Sequence, residues 1–240
     1  MAKILFVNPL IREEDDPRHV PYGMALLASI VMREGHLVQV YDLNAWRASD
    51  SVTAQVLRAD RWDVVAIGGI TTAYRSIKHV VGMARVCAPQ ALVVAGGGFL
   101  TSMPHDIMRF LPEVDVGVVG EAFRSFPELL RQIDTGRRDW TSVPGLVWRD
   151  PSGATHMNPE SPLLDDLDTL PYPAWDLFPL EVYFQNSMAL FSEEGMLARR
   201  RLDVNASYGC SLICRFCFQD RKSTRLNSSH LKLSRMPSSA

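Results

Sequence analysis

The sequence predicts an α/β fold in which helices cover both faces of a parallel, doubly wound, five-stranded sheet. Short β-rich runs alternate with segments of helical periodicity, and alternating βα units of this length imply parallel strands. The run Asp63–Ile70 (DVVAIGGI) is apolar after its first residue, as strands covered on both faces are. The five predicted strands are Lys3–Val7, His36–Tyr41, Asp63–Ile70, Ala91–Ala95 and Val114–Val119.

Three helices are predicted from apolar residues that recur at helical spacing. They are Pro21–Gly35, for which Gly35 is the candidate C-cap, Tyr74–Cys87, and a helix near Ser125–Ile133. Sheets of this type bind ligands beyond the carboxyl ends of their strands, at the point where the strand order reverses. We therefore expect the site among the residues that follow the strands.

The composition shifts near residue 140. Seven of the fifteen prolines fall within residues 144–179. A hairpin is predicted here, with strands at Gly145–Arg149 and Ala154–Met157 joined by a turn of the sequence DPSG. Residues 164–183 mix proline with large apolar side chains, which is too hydrophobic for a flexible linker, so we expect an ordered connector that packs along a surface. A last β-like run, Leu202–Ala206, leads into a group of cysteines.

The overall composition is that of an ordinary globular protein, with 47% hydrophobic and 22% charged residues in a chain of 240. No apolar run is long enough to span a bilayer, and the N-terminus MAKILFVNPL lacks the features of a signal peptide. The net charge of −2 is accompanied by no basic stripe before residue 199. We therefore expect a cytoplasmic protein without a membrane span and without a nucleic-acid partner.

Three of the four cysteines, Cys210, Cys214 and Cys217, have the spacing C-x3-C-x2-C. A structural zinc site needs four ligands, most often as two pairs, and Cys87 falls in a predicted helix of another domain. A disulfide would leave one thiol over, in a reducing compartment. The third interpretation is a 4Fe–4S cluster held by three thiolates, with one iron left open for a ligand. The spacing favours the cluster, and zinc or inert thiols stay open as alternatives.

This spacing, with the aromatic Phe216 before the last cysteine, resembles the signature of radical S-adenosylmethionine (SAM) enzymes. The resemblance implies that the three cysteines hold a 4Fe–4S cluster whose open iron chelates SAM, and that Phe216 packs beside the adenine. It also implies a small-molecule substrate and a reductant such as flavodoxin or ferredoxin. In the family the motif follows the first strand of a βα barrel, which Leu202–Ala206 would supply. The usual Arg-Gly-Cys-Pro reads Tyr208-Gly209-Cys210-Ser211 here, a departure that touches packing and not ligation.

The order of parallel α/β domain, proline-rich connector and cysteine motif is similar to that of the cobalamin-binding radical SAM proteins. This group includes methyltransferases and the anaerobic oxidative cyclase of bacteriochlorophyll synthesis. The matching pieces are Asn8-Pro9, Pro21-Tyr22-Gly23, Gly35-His36, Gly96-Gly97-Gly98, Gly120-Glu121 and Leu170-Pro171-Tyr172-Pro173-Ala174-Trp175-Asp176. The resemblance implies a Rossmann-like sheet of the cobalamin-binding type. It further implies an enzyme that cleaves SAM reductively, for methyl transfer or oxidative cyclisation at an unactivated carbon.

Candidate cobalamin contacts follow the third, fourth and fifth predicted strands. They are Thr71, Thr72, Gly96, Gly97, Gly98 and Glu121. Glycines let a backbone approach a ligand closely, although a permissive turn is the alternative for this triplet. The two threonines are candidates for hydrogen bonds to the nucleotide tail of cobalamin, or else they cap the next helix. The glutamate is a candidate contact, or an acid at the start of a helix.

The loop after the first strand departs from a common cobalamin pattern. Many cobalamin proteins carry D-x-H-x-x-G there, with the histidine on the cobalt, but the nearest match, Asp16 to Gly23, has the wrong spacing. We therefore expect that His19 does not ligate cobalt, and loss of cobalamin altogether stays open. A nicotinamide dehydrogenase would need G-x-G-x-x-G in this loop, which instead reads NPLIREED.

The predicted organisation has four parts. They are a cobalamin-binding-like α/β domain (1–140), the hairpin and proline-rich connector (141–200), the start of a radical SAM domain with its cluster loop (201–219), and a tail (220–240). One back-translation of residues 220–230 reads as a common sequencing-library adapter, so we expect a non-native tail; a real basic tail is the alternative. The chain is thus expected to be the N-terminal fragment of an enzyme with a truncated barrel, inactive by itself. The alternative is a stand-alone corrinoid or nucleotide carrier domain with a vestigial or zinc-binding cysteine cluster.

Overall fold

In the part of the chain that the structure describes, seven strands form a single sheet with helices on both faces. The structure is a computed structural model, and it describes residues 1–164 and 166–188 together with residues 200, 202 and 205. The strands are Lys3–Asn8 (β1), Leu37–Asp42 (β2), Val64–Gly68 (β3), Leu92–Gly96 (β4), Val116–Val118 (β5), Leu146–Arg149 (β6) and Thr155–Met157 (β7). Their order in the sheet is β2-β1-β3-β4-β5-β6-β7, and β1 to β5 are parallel. The predicted α/β class with a mainly parallel sheet is confirmed.

The prediction of five strands was too low, because the predicted hairpin pairs with β5. β6 runs antiparallel to β5, and β7 runs antiparallel to β6. Gly117 in β5 makes room for this arrangement. A Cβ built on it would lie 2.6 Å from Val147 Cγ1 of β6 and 2.7 Å from Leu100 Cδ2. The absence of a side chain at Gly117 therefore lets a helix and the sixth strand both pack closely against β5.

Eight helices occur in the described part of the chain. They are Tyr22–Arg33 (α1), Leu43–Trp46 (α2), Asp50–Arg58 (α3), Tyr74–Cys87 (α4), Gly98–Ser102 (α5), Pro104–Phe110 (α6), Ala122–Asp134 (α7) and Leu180–Met188 (α8). The three predicted helices correspond to α1, α4 and α7. None of these helices is long and apolar enough to cross a membrane.

The end of α1 shows how the sequence stops a helix. Gly35 has φ +90°, and its N–H donates to the Met32 carbonyl at 3.0 Å. The N–H of His36 donates to the Val31 carbonyl at 3.2 Å. This is a Schellman motif, in which glycine takes the left-handed position at no steric cost. The chain then turns directly into β2, as the predicted C-cap requires.

Both faces of the sheet are buried in apolar cores. In β1, Leu5 and Val7 belong to the core beneath α3 and α4, whereas Ile4 and Phe6 belong to the core beneath α1 and α7. Alternate residues of a strand point to opposite faces, so a strand covered on both sides is apolar at every position. The continuous apolar runs in the sequence therefore report a central sheet with two helical layers.

The proline-rich connector is ordered where it is described and lies against α1. The Ala174 N–H donates to the Ala25 carbonyl at 3.0 Å, and the rings of Trp175 and Tyr22 are 5.7 Å apart. The connector then forms α8. The predicted strand Leu202–Ala206 lies, apart from Leu202 and Asn205, outside the described residues.

Candidate functional site at the carboxyl edge of the sheet

The strand order reverses between β1 and β3. The chain passes from β1 to β2 on one side, then crosses back to place β3, β4 and β5 on the other. In open parallel sheets the crevice beyond the carboxyl ends at such a point is the usual ligand site. The loops that follow β1 and β3 to β5 therefore define the candidate site.

Glycines hold the loops after β3 and β4 in backbone contact. Gly97 has φ +87° and ψ −174°, and a Cβ on it would lie 2.8 Å from the Gly69 carbonyl oxygen. The Gly69 N–H donates to the Gly96 carbonyl at 3.3 Å, and the Phe99 N–H donates to the Gly69 carbonyl at 3.2 Å. Gly97 is thus needed for packing between loops. Gly98 is different, because it is exposed and a Cβ there would meet nothing closer than 3.9 Å.

The two candidate threonines lie in a single 3-10 turn after β3. Thr71 and Thr72 are both exposed, and Ile70 just before them is 51% exposed. The N-cap residue of α4 is Ala73, so neither threonine occupies the capping position. The two threonines and Ile70 are therefore open to solvent, and the structure does not show the threonines capping α4.

The loop after β5 brings Glu121 to the same edge. The Gly120 N–H donates to Thr101 Oγ1 of α5 at 3.0 Å, which ties this loop to the one after β4. Glu121 is the N-cap residue of α7, but its side chain makes no capping hydrogen bond. Its surface is accessible, yet the protein packed around the carboxyl partly excludes water and raises the pKa of Glu121 above its ordinary value. The Glu121 side chain is nevertheless exposed, which leaves its carboxyl open to a ligand.

The edge is closed over β1 and β2 by the connector helix α8. The Tyr183 hydroxyl of α8 donates to Asp42 Oδ2 at 2.6 Å, and Asn8 Nδ2 donates to Asp42 Oδ1 at 2.7 Å. Asp42 ends β2 and also caps α2, accepting from the Ala45 N–H at 3.1 Å. Burial raises the pKa of the Asp42 carboxyl, against the lowering effect of these hydrogen bonds.

The loop after β1 is held beneath α8. Asn186 Nδ2 donates to the Pro17 carbonyl at 2.9 Å, and Ser187 Oγ donates to the Arg18 carbonyl at 3.2 Å. On its other side, the Ile11 N–H donates to Asn44 Oδ1 at 3.0 Å. His19 lies in this loop with an exposed side chain. The loop is therefore fixed by the connector.

The structure gathers one group of predicted site residues and leaves the other undescribed. Thr71, Thr72, Gly96, Gly97, Gly98 and Glu121 all lie at the carboxyl ends of the three adjacent strands β3, β4 and β5. Cys210, Cys214, Cys217 and Phe216 lie outside the described residues. Within the described part, no group of three or more His, Cys, Asp or Glu side chains could hold a metal ion.

Sequence reasoning missed the polar cluster at β1 and β2. Asp42 has a local signal, since an aspartate between a strand and a helix is a common N-cap. Its pairing with Tyr183, 141 residues later, has none. Ile70 also escaped attention, because a single exposed apolar residue after a strand is common.

Comparison with known families gives one matching family model. The B12 binding domain model matches residues 10–130 of the chain. The matched range contains the carboxyl-edge loops after β3, β4 and β5, and it ends within α7.

Similar proteins with longer chains carry methyltransferase and cyclase names. An uncharacterized methyltransferase of Pyrococcus horikoshii is 31% identical over 221 residues, which are 90% of this chain and 45% of the relative. The anaerobic magnesium-protoporphyrin IX monomethyl ester cyclase of Rubrivivax gelatinosus is 25% identical over 224 residues, 90% of this chain and 38% of the relative. The chain therefore spans less than half the length of these two relatives.

A solved structure shares the fold. The radical S-adenosylmethionine methyltransferase TsrM from Kitasatospora setae, with cobalamin and a [4Fe–4S] cluster bound, superposes with a TM-score of 0.67. It is 21% identical in sequence, and the match covers 94% of this chain and 43% of that one. At this identity the similarity shows the fold alone.

Proposed function

The chain belongs to the B12-binding domain family, and from this membership we propose that it forms the N-terminal part of a cobalamin-dependent radical SAM enzyme. The proposed reaction is methyl transfer or oxidative cyclisation at an unactivated carbon of a small-molecule substrate. Its support is the order of domain, connector and C-x3-C-x2-C motif, together with the methyltransferase and cyclase names of longer relatives. By itself the chain is proposed to be inactive, since the relatives extend well beyond the matched part.

The observation that carries the proposal is the open half of the carboxyl edge, by which we mean the exposed loops that follow β3, β4 and β5. β3 and β4 end in glycine, and a Cβ built on Gly98 would meet no atom closer than 3.9 Å, while one on Gly120 would meet none within 4 Å. A corrin needs a flat surface, and its nucleotide tail needs a narrow path with hydrogen-bond donors. The exposed Ile70 side chain offers an apolar contact beside the hydroxyls of Thr71 and Thr72. The residues present therefore fit cobalamin.

Each edge residue has a proposed role. Thr71 and Thr72 hydrogen-bond polar groups of the tail, and Gly98 lets the ligand approach the backbone. Glu121 accepts a hydrogen bond from an amide of the corrin periphery. Gly96 and Gly97 act indirectly, by holding the loops after β3 and β4 together. Cobalamin, when bound, would supply a cobalt centre that can carry a methyl group or react with an organic radical.

The cysteines are proposed to hold the second cofactor. Cys210, Cys214 and Cys217 ligate a 4Fe–4S cluster, with Phe216 beside the adenine of SAM. The cluster supplies an open iron for SAM and the electron that cleaves it. A flavodoxin- or ferredoxin-type reductant is proposed to deliver that electron. Such a cluster is kept in a reducing compartment, which supports a cytoplasmic location.

The experiment that tests this function replaces one proposed cluster ligand. In the purified chain, reconstituted anaerobically with iron and sulfide, Cys214→Ala should abolish the cluster absorbance and the change that SAM produces in the reduced cluster's magnetic spectrum. Cys87→Ala is the matched control, because Cys87 lies at the end of α4, far along the chain from the motif. Cobalamin binding should survive both substitutions. Full iron loading with an unchanged spectrum in Cys214→Ala would contradict the cluster assignment.

A further inference from the structure

Tyr183 inserts the connector helix into the end of the sheet. Its hydroxyl donates to Asp42 Oδ2 at 2.6 Å, while Asp42 Oδ1 accepts from Asn8 Nδ2 at 2.7 Å. Tyr183 and Asp42 are each 1% exposed, and Asn8 is 4% exposed. Three polar side chains from β1, β2 and α8 thus meet in a buried cluster that uses nearly all of Asp42's hydrogen-bonding capacity.

Burying this cluster carries a desolvation penalty that apolar packing of the helix would not. Removing a carboxylate from water is unfavourable until its hydrogen-bond partners offset the lost hydration. Burial, followed by the neighbouring Asp42 carboxylate, raises the pKa of Tyr183 well above its ordinary value. Apolar packing is already present, because Phe178 and Val20 belong to the same small core. What directional hydrogen bonds add to apolar packing is one defined position and rotation of the helix.

The same face of α8 carries the next two contacts. Asn186 and Ser187 follow Tyr183 by three and four residues, the spacing that places side chains on one face of a helix. Both donate to carbonyls of the loop after β1. One turn further along the helix, these two contacts support the same rotation of α8 that the Tyr183 hydrogen bond favours.

The chain returns to α8 shortly before the cysteines. The Arg200 guanidinium lies 2.6 Å from Glu181 Oε1 and 4.9 Å from the centroid of the Phe184 ring. Leu202 packs against the same small core as Tyr183. Cys210 follows Leu202 by eight residues in the sequence. α8 is thus in contact with the chain at the start of the cysteine segment, which we define as residues 201–219.

We propose that Asn8, Asp42 and Tyr183 form an interdomain latch that sets where the cysteine segment lies relative to the open half of the carboxyl edge. The three are positioning residues, which touch neither cofactor. The latch rests on the proposed function, since it gives the two cofactors a fixed separation. Its loss should leave each cofactor bound and change only their mutual placement.

The test compares Tyr183→Phe, which keeps the ring and removes one hydroxyl, with Tyr172→Phe. Tyr172 is a connector tyrosine that is 57% exposed, which makes it a matched control. In the cofactor-free chain, the amides of α8 should exchange hydrogen roughly tenfold faster in Tyr183→Phe, as the loss of a hydrogen bond to a buried carboxylate predicts. Amides of β1 to β5 should be unchanged. Asp42→Asn, a nearly isosteric change, should act in the same direction.

The second readout uses the chain loaded with hydroxocobalamin, iron and sulfide, and then reduced with dithionite. In the parent, the reduced cluster should speed the magnetic relaxation of Co(II) in the bound cobalamin. In Tyr183→Phe this enhancement should be reduced at unchanged cobalamin and iron content. Unchanged exchange in α8, or an unchanged enhancement at equal loading, would overturn the latch. A parent chain that takes up neither cofactor contradicts the proposed function instead, and is recognised before any variant is compared.

Discussion

The two halves of the carboxyl edge are built in opposite ways. Over β1 and β2 the edge is filled by the chain's own helix α8, and Asn8, Asp42 and Tyr183 are buried in mutual hydrogen bonds. Over β3, β4 and β5 the edge is lined by exposed residues such as Thr71 and Gly98. In the first half the polar side chains hold α8 in place, whereas in the second half they stay accessible to solvent. The accessible half is therefore the one in which we propose that the ligand binds, since the half beneath α8 is already filled.

The largest expected effect comes from Gly97→Ala, which breaks the backbone junction of the open half. Its φ and ψ lie in a region occupied almost only by glycine, and the new Cβ would lie 2.8 Å from the Gly69 carbonyl oxygen. We expect the free energy of unfolding to fall by about 3 kcal/mol, measured by urea denaturation. Gly82→Ala in α4 is the control, because its Cβ would meet no atom within 4 Å. That change should raise stability by about 0.5–1 kcal/mol. Equal unfolding curves for the parent and Gly97→Ala would mean that the two loops are not in contact.

A smaller effect is expected from titration of Asp42 in the closed half. Burial is the main cause of its raised pKa, so the folded state holds this proton more tightly than the unfolded state does. Stability contributed by the protonated group is therefore present below pH 3.8 and is lost as the pH rises through the raised value. Asp42→Asn should flatten this part of the curve of unfolding free energy against pH. A parent and variant that differ by a constant amount across the window would refute the assignment.

The smallest effect is expected at Glu121 in the open half. If its carboxylate accepts a hydrogen bond from cobalamin, Glu121→Gln should weaken cobalamin binding by roughly fivefold, the difference between a charged and a neutral acceptor. Binding by the parent should weaken as the pH falls through the raised pKa of Glu121, and the variant should lose this dependence. Glu128→Gln is the control on the same helix, since Glu128 pairs with Arg131 instead. Identical pH profiles for parent and Glu121→Gln would remove this residue from the site.

The elements that could be predicted are those with a local physical signal. The apolar runs located all five parallel strands, and periodicity gave α4 to the residue. The pairing of the hairpin with β5 could not be predicted, because it depends on Gly117 letting Val147 and Leu100 approach from two sides. The short helices α2, α5 and α6 lack a full period of apolar residues, and α3 went unrecognised.

The candidate site divides along the same line. Glycines and threonines after strands are visible in the sequence, because parallel strands bring their carboxyl ends to one edge. The Asp42–Tyr183 pair joins residues 141 apart, and no local pattern encodes such a contact. The open half of the edge could therefore be predicted, and the closed half required the fold.

The hairpin of β6 and β7 has a consequence for how the molecule avoids self-association. β5 is buried at all three of its positions, so without a neighbour its outer side would present unpaired backbone groups beside apolar side chains. β6 occupies that side, and the outermost strand among the described residues is the three-residue β7, whose histidine and methionine are exposed. Very short border strands are poor templates for adding strands from other molecules. A chain ended at residue 140 would keep β5 and lose its cover, and it would be prone to stack edge to edge into aggregates.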